Sequence, residues 1–515
     1  MPRLVIDVLM SSLDQRLSGV LLHPTSLPGK HGSGDLGAEA HAFVDWLADA
    51  KQSHWQMLPV VPTASGDSPY QSPSAFAGNP LLVSLESLVT AGLLAQGDLD
   101  GAIVDDGRVD FATVRTFRVD RLRRAFDRFR AGGRDQSAFL AYLDREKGWL
   151  RDYALFTALK EAHGGAAWTD WPAELRERRP DALAAAEEKL ADEVRFHEFV
   201  QFLFHDQWEA LHAHARSRGV ALMGDLPIFV AHDSADVWAN RHLFHLDETG
   251  RPQVVAGVPP DYFSETGQRW GNVLYDWEKH RRDDYAWWGS RFGAALGRFD
   301  SIRVDHFIGF HRFWAIPDDA PSAVSGKYMA GPGADLFEAM KRRLGDMPIV
   351  AEDLGVVTEE VTRLRERFGF PGMRVLHFSF TTDKSARHIL PYTIVPRTVV
   401  YTGTHDNDTT VGWWHDLTTR AEKDERARAE REMILRYLGS DGREVHWDLL
   451  RLAWSSPART AIAPVQDLLG LPSDSRMNVP GKSEGNWAFR LREGQLTPEI
   501  QRRLRELTET FARDV

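Results

Sequence analysis

The sequence predicts an α/β fold: a (β/α)₈ TIM barrel enlarged by mainly helical insertions. Eight short apolar runs, each closing on a polar, Gly- or Pro-bearing turn, are spread along 515 residues with amphipathic stretches between them. Eight such units suit a closed parallel barrel better than an open sheet of five or six strands. The chain also far exceeds the ~250 residues of a plain barrel, so the surplus belongs in insertions.

The first two runs, Gly19–Leu22 and Trp55–Val61, lead into His23-Pro24-Thr25 and Pro62-Thr63. Val220–Met223 leads into Gly224-Asp225, Ser301–Val304 into Asp305-His306, and Ile349–Ala351 into Glu352-Asp353. Arg374–Phe378 ends at Ser379, Val399–Thr402 at Gly403-Thr404-His405-Asp406, and Ala461–Val465 at Gln466-Asp467.

Uneven spacing locates the extra structure. Residues 18–80 and 201–230 read as barrel, and 81–200 between them as a helical subdomain. Val114, Phe117, Phe126 and Phe129 recur at helical intervals over Phe111–Arg130. Phe196, Phe199, Val200, Leu203 and Gln207 mark one face of a helix over Asp192–Ser217, which Arg218-Gly219 ends. Residues 231–300 hold a turn at Asp247-Glu248-Thr249-Gly250 and an aromatic, Gly/Pro-rich stretch from Gly257 to Trp277, read as a loop covering the active site. Residues 301–515 complete the barrel and add C-terminal helices, the last introduced by Thr497 as N-cap and Pro498 at the first helical position. Residues 1–17 form an N-terminal segment with no assigned order.

Composition narrows the chemistry. Lys+Arg 62 against Asp+Glu 74 leaves a net charge of −12, the wrong sign for a surface that tracks phosphates, so nucleic acid is not an expected partner. With no cysteine, disulfides, thiolate metal sites and a cysteine nucleophile are excluded. No window reaches the ~18 uninterrupted apolar residues of a membrane helix, and Met1–Met10 lacks a small-residue cleavage site; a cytoplasmic protein with no membrane partner is expected. Gly32–Gly37 fits the GxGxxG pattern, but Asp35 would repel a pyrophosphate and Val60-Val61-Pro62 supplies no acid for a ribose. His212 and His214, two apart on a helix, face different ways. Neither cofactor nor metal is expected.

In a (β/α)₈ barrel the C-terminal strand ends converge on one pocket, and four runs end in carboxylates: Asp225, Asp305, Glu352 and Asp406. Any one alone reads as the N-cap of the next helix. Four together, with basic and aromatic neighbours, point to chemistry. Arg303 precedes Asp305 by two residues and so shares its face of the strand, where a guanidinium favours the ionised carboxylate that a nucleophile needs. Glu352 follows an apolar strand, and apolar walls favour the protonated carboxyl of a general acid. Asp406 stands in the polar cluster His405-Asp406-Asn407-Asp408, suited to hydroxyls. The simplest reaction for this set is displacement at a sugar anomeric carbon, with part of the large supply of 17 Trp, 27 Phe and 10 Tyr stacking on pyranose faces.

Several long stretches carry a resemblance. They include LLHPTSLPGKHGSGDLG (Leu21–Gly37), GDSPYQSPSAFAGNP (Gly66–Pro80), GDLPIFVAHDSADVW (Gly224–Trp238), IRVDHFIGFHRFWAIP (Ile302–Pro317), IVAEDLG (Ile349–Gly355), GTHDNDT (Gly403–Thr409) and NVPGKSEGNWAFR (Asn478–Arg490). From about Ser18 to Leu491 the chain resembles the 4-α-glucanotransferases of the amylomaltase or disproportionating-enzyme family, a branch of the α-amylase-like retaining barrels. The resemblance implies transfer of α-1,4-glucan segments among malto-oligosaccharides, starch or glycogen, with glucose or maltose as acceptor. It makes Asp305 the nucleophile, Glu352 the general acid and then base, and Asp406 the group that distorts and stabilises the reacting sugar. Asp225, Arg303 and His405 would support them, Tyr70 would stack on the reacting sugar, and Trp270 and Asn272 would sit over the acceptor. Ser65 departs from the aromatic that relatives often carry there, which bears on cyclisation of long glucans. A plain hydrolase with the same carboxylates stays open, as does a non-catalytic glycan-binding barrel.

Overall fold

The computed structural model describes residues 13–101, 103, 107–132, 136–260, 265–482 and 484–514. Met1–Ser12, Asp261–Ser264 of the stretch read as a cover loop, and the Ser65 side chain fall outside the described residues. Among the described residues twelve strands occur. Eight make one parallel sheet: β1 (Leu17–Leu21), β2 (His54–Gln56), β3 (Ala221–Leu226), β6 (Ser301–Val304), β9 (Ile349–Ala351), β10 (Gly372–Val375), β11 (Thr398–Tyr401) and β12 (Thr460–Pro464). Their order, β10-β11-β12-β1-β2-β3-β6-β9, is that of a barrel, and each of the eight runs read from the sequence contributes one strand. β9 and β10 close the circle through a single backbone hydrogen bond, Ala351 N–H to the Pro371 carbonyl at 2.9 Å.

Several strand boundaries shift from the sequence reading: β3 runs on to Leu226, so that Asp225 lies within the strand, and β2 and β10 differ for identifiable reasons. β2 stops at Gln56, because Pro59 and Pro62 further along the run have no N–H for a ladder. β10 begins at Gly372, a residue that reads as a turn; a Cβ there would lie 2.5 Å from Asp353 Oδ2, so the close approach of that carboxylate demands glycine. The layer between the barrel strands and the surrounding helices is apolar, with Val20, Trp55, Leu222, Ile302 and Ala461 all fully buried, while the opposite strand faces turn Gln56, Asp225, Arg303 and Tyr401 into the barrel.

Between β2 and β3 the chain forms helices Phe111–Ala131, Ser137–Glu146, Leu150–Ala162, Pro180–Lys189 and Ala191–Ser217. The stripe Phe196, Phe199, Val200, Leu203 and Gln207 of the last is buried, and Gly219 at φ 73° ends it. Two amides on this helix bind backbone of the segment after β2. Gln201 accepts from Gly78 N–H (2.7 Å) and donates to the Gly78 carbonyl (2.8 Å); Gln207 accepts from Ser84 N–H (2.6 Å) and donates to its carbonyl (3.2 Å). Gln207→Leu keeps the volume but leaves a buried N–H and C=O unpaired, at about 1–3 kcal/mol each. A thermal melt should show a drop of several degrees; an unchanged midpoint would mean that water replaces the amide.

The stretch from Gly257 to Trp277 is not a loop throughout. β4 (Val254–Val258) and β5 (Gln268–Val273) form a hairpin, and β7 (Arg312–Pro317) and β8 (Lys327–Ala330) complete an antiparallel sheet of order β5-β4-β7-β8. The strand signal was hidden because β5 is an edge strand whose residues Gln268-Arg269-Trp270-Gly271-Asn272 lack an apolar alternation. Gly257 lies where the strands come closest: a Cβ would stand 2.2 Å from the Gln268 carbonyl oxygen.

At the opposite end of the barrel two arginines gather backbone carbonyls. Arg513, fully buried, donates to the carbonyls of Trp454 (2.7 Å), Leu17 (2.8 Å), Ala458 (2.9 Å), Arg459 (3.0 Å) and Ser456 (3.2 Å). Arg16 donates to Trp454, Ser456 and Phe511 at 2.7–2.8 Å. The C-terminal helix Pro498–Thr510, with Thr497 Oγ1 capping Ile500 N–H at 3.3 Å, delivers Arg513 to this position.

Candidate active site

The C-terminal ends of β3, β6 and β9 and the turn after β11 bring Asp225, Arg303, Asp305, Glu352, His405 and Asp406 to one mouth. Arg303, buried on β6, binds both oxygens of Asp225 (2.9 and 2.7 Å) and places its other terminal nitrogen 2.8 Å from Asp305 Oδ1. Asp225 lies on the paired neighbouring strand in register with Arg303, which is why a residue two before Asp305 reaches both carboxylates. Burial lowers the pKa of the Arg303 guanidinium, but Asp225 and Asp305 outweigh this and raise it.

Asp305 Oδ1 is engaged by Arg303, which leaves Oδ2 toward the cleft, where 28% of the side chain is exposed. Glu352 is buried. Its Oε2 accepts from His306 N–H and its Oε1 from Leu354 N–H, both at 2.8 Å. His306 takes a left-handed conformation (φ 48°), which turns its N–H toward this carboxyl. Burial is the largest influence on Glu352; with the negative charge of Asp305 it overcomes Arg303 and the two N–H groups and raises the pKa to about 7. Activity that needs the protonated carboxyl should fall as pH rises through about 7. A pH profile of kcat/KM checks this; a flat profile from pH 6 to 9 would rule Glu352 out as the acid.

Asp406 keeps 42% of its side chain exposed. Crowding by the surrounding walls pushes its pKa up, but His405, the Asn478 amide and Arg303 prevail, and its carboxyl lies well below the usual range. Asn478 Nδ2 donates to Asp406 Oδ1 (2.6 Å) and Arg476 holds the Asp406 carbonyl (2.5 Å). Burial lowers His405, but Asp406, 3.3 Å away, raises it further than burial lowers it. The Tyr70 hydroxyl joins the two halves, donating to Asp225 Oδ2 (2.8 Å) and accepting from His405 Nε2 (2.9 Å). The Tyr70 and His405 rings stack at 5.3 Å.

Trp270 and Asn272 belong to β5, over the mouth. Trp270 stands edge-on to His306 at 4.9 Å, and Gln71, next to Tyr70, donates to Asn272 Oδ1 at 3.0 Å. All nine residues singled out from the sequence thus lie around one cleft or on the hairpin above it. Arg476, Asn478, Trp487 and Gln71 were not singled out. They lie inside the quoted stretches GDSPYQSPSAFAGNP and NVPGKSEGNWAFR or just before the latter, with no spacing signal to separate them from structural polar residues. The Gly32–Gly37 loop folds on itself: Asp35 accepts from Gly37 N–H (2.9 Å) and pairs with buried Arg118 (3.0 Å). His212 binds Asp300 (2.9 Å) and His214 binds Asp45 (3.1 Å).

A model of the family described as 4-alpha-glucanotransferase matches residues 22–497. The chain belongs to the 4-alpha-glucanotransferase family. Among its relatives, the 4-alpha-glucanotransferase of Thermus thermophilus is 49% identical over 508 residues, covering 97% of this chain and 99% of that protein. The 4-alpha-glucanotransferase of Synechocystis is 48% identical over 510 residues, covering 98% and 99%. Of the solved structures, amylomaltase from Streptococcus agalactiae, in complex with acarbose, superposes with a TM-score of 0.92 at 38% identity, covering 97% of this chain and all of that one. Amylomaltase from Corynebacterium glutamicum shares the fold at a TM-score of 0.77 and 19% identity, covering 98% and 76%. In this 4-alpha-glucanotransferase fold no described helix is long and apolar enough to cross a membrane.

Proposed function

We propose that the chain is a retaining 4-alpha-glucanotransferase that cleaves an α-1,4 bond of a malto-oligosaccharide or starch chain and passes the glucan to the 4-hydroxyl of glucose, maltose or a longer acceptor. The observation that carries this is the division between two neighbouring carboxyl groups: Asp305, held by a guanidinium, and Glu352, buried and raised to about 7. Asp305 Oδ2 attacks the anomeric carbon. The C1–O bond breaks as Glu352 gives its proton to the departing 4-oxygen, leaving a glucosyl ester on Asp305 and an ionised Glu352. Glu352 then takes the proton of an acceptor 4-hydroxyl as that oxygen attacks C1 and releases Asp305. Two inversions give net retention.

Asp406, ionised and clamped by Asn478, accepts hydroxyl hydrogen bonds from the reacting ring. Tyr70 supplies the ring face against which the sugar stacks and, through Asp225, steadies Arg303. Trp270 and Asn272 cover the acceptor side and limit water, which would otherwise make the same intermediate hydrolyse. Incubation with maltotriose tests the reading. Transfer yields glucose together with a ladder of longer products, whereas products only shorter than the substrate would make the enzyme a hydrolase.

A further inference from the structure

A cavity of about 500 Å³ lies outside the catalytic mouth, between helix Leu150–Ala162 and the helix Ala286–Arg298 that precedes β6. That volume is within the ~300–1,000 Å³ that encloses a small ligand. Three aromatic rings line it: Phe76 stacks on Trp149 at 6.2 Å and meets Trp287 edge-on at 6.0 Å. The charged groups of the lining are mostly acidic. Glu146, Asp152, Asp236 and Asp283 stand against Arg145 and the imidazole of His242.

These carboxylates differ in their partners. Glu146 pairs with Arg145 (2.8 Å) and Asp152 with Arg178 (2.5 Å). Asp283 caps the Ala286 N–H at 3.3 Å and Asp236 Oδ2 accepts from the Ala75 N–H at 2.8 Å, but among the described residues neither makes an ion pair. Asp236 is only 5% exposed, and its Oδ1 takes no hydrogen bond from another residue. Arg291, whose charge reaches it, is turned to the carbonyls of Ile228 and Pro227. Burial pushes the Asp236 carboxyl up to about 6, so at neutral pH it is ionised with no cation in contact. A buried carboxylate without a partner is costly, and this one opens on a space walled by indole faces, which attract cations.

We propose that this cavity binds a small organic cation, a linear diamine, with one ammonium group on Asp236, the methylenes against Trp149 and Trp287, and the second ammonium group toward Asp283. One unpaired carboxylate is deep and the other exposed, which suits a ligand charged at both ends. An uncharged sugar would leave the charge of Asp236 uncompensated. Ser74 and Phe76 form part of the wall, while Tyr70, earlier on the same segment, faces Asp225, so the ligand sits behind the segment that serves the mouth.

Isothermal titration of the full chain with 1,5-diaminopentane at about pH 8, where both amines are charged, should show saturable binding. Asp236→Asn can keep the Ala75 contact while removing the charge, and Ser290→Arg adds a cation at an exposed position of the lining. Each substitution should weaken binding at least about tenfold, the loss of about one charge-assisted hydrogen bond, in protein that melts as wild type does. The exposed Ser290→Arg decides the matter if Asp236→Asn fails to fold. Pentane-1,5-diol, the uncharged analogue, should not bind. A diamine held instead by the catalytic carboxylates would ignore both substitutions. That outcome overturns the site, as does equal binding of the diol or the lack of saturable binding.

Discussion

Asp305→Asn should cut turnover of malto-oligosaccharides by at least about 10³-fold while leaving the fold intact. The substitution is isosteric, and the amide oxygen can keep the 2.8 Å contact with Arg303 that Oδ1 now makes. The amide nitrogen takes the place of Oδ2; its lone pair is delocalised into the carbonyl and the group carries no charge, so it cannot form the glucosyl ester. Losing the nucleophile removes the covalent intermediate, while the cleft and the general acid still bind and polarise the substrate. The residual rate should therefore come with a KM of similar size. The measurement is single-turnover release from maltotriose beside a thermal melt. Activity above about a tenth of wild type in a variant that melts normally would place the nucleophile elsewhere.

Arg513→Ala should be the most damaging substitution remote from the site. Six carbonyls at the base of the barrel converge on this one guanidinium, two of them from Leu17 and Arg459, just where β1 and β12 begin. A hydrogen bond to a charged group nets about 1.5–3 kcal/mol, and leaving a buried carbonyl bare costs about 1–3 kcal/mol. Against this stands the desolvation of the cation: burial, with the like charge of Arg16, lowers its pKa to about 9. The balance is a loss of about 3 kcal/mol or more. A calorimetric scan should show a midpoint lower by several degrees, with specific activity at 25 °C nearly unchanged, because the contacts lie at the end away from the mouth. An unchanged midpoint would show that Arg16 alone holds these carbonyls.

The eight barrel strands were legible because each apolar run ends in a polar, Gly- or Pro-bearing turn, and at four of them, Asp225, Asp305, Glu352 and Asp406, the same short segment also supplies a candidate residue. Ile349–Ala351 followed by Glu352 is the clearest case: one short segment carries both the strand signal and the carboxyl that burial and Asp305 raise. The antiparallel sheet was not legible. Strand β5 faces the cleft with Trp270 and Asn272 and lies at the edge of its sheet, with a single bridge from Val273 to Val230 beyond it, and its residues do not show the alternation by which strands are recognised. Nor could spacing join Asn478 to Asp406, 72 positions apart, since their hydrogen bond depends on a late loop folding back over the mouth. Tyr70 came only through family likeness. Its link between Asp225 and His405 crosses three separate βα turns and leaves no local pattern.

The seam of the barrel has a further meaning. Seven neighbouring strand pairs share ladders, but β9 and β10 meet through one backbone bond and through Asp353, whose Oδ1 accepts from Met373 N–H (2.8 Å) and whose Oδ2 pairs with Arg365 (3.1 Å). A tube stitched on seven sides and pinned by a side chain on the eighth is a slit cylinder, and it yields first along the slit. That slit runs directly beside Glu352. Amide hydrogens of β9 and β10 should therefore exchange faster than those of β1 and β12, and the group that moves the proton stands on the one wall of the mouth free to widen.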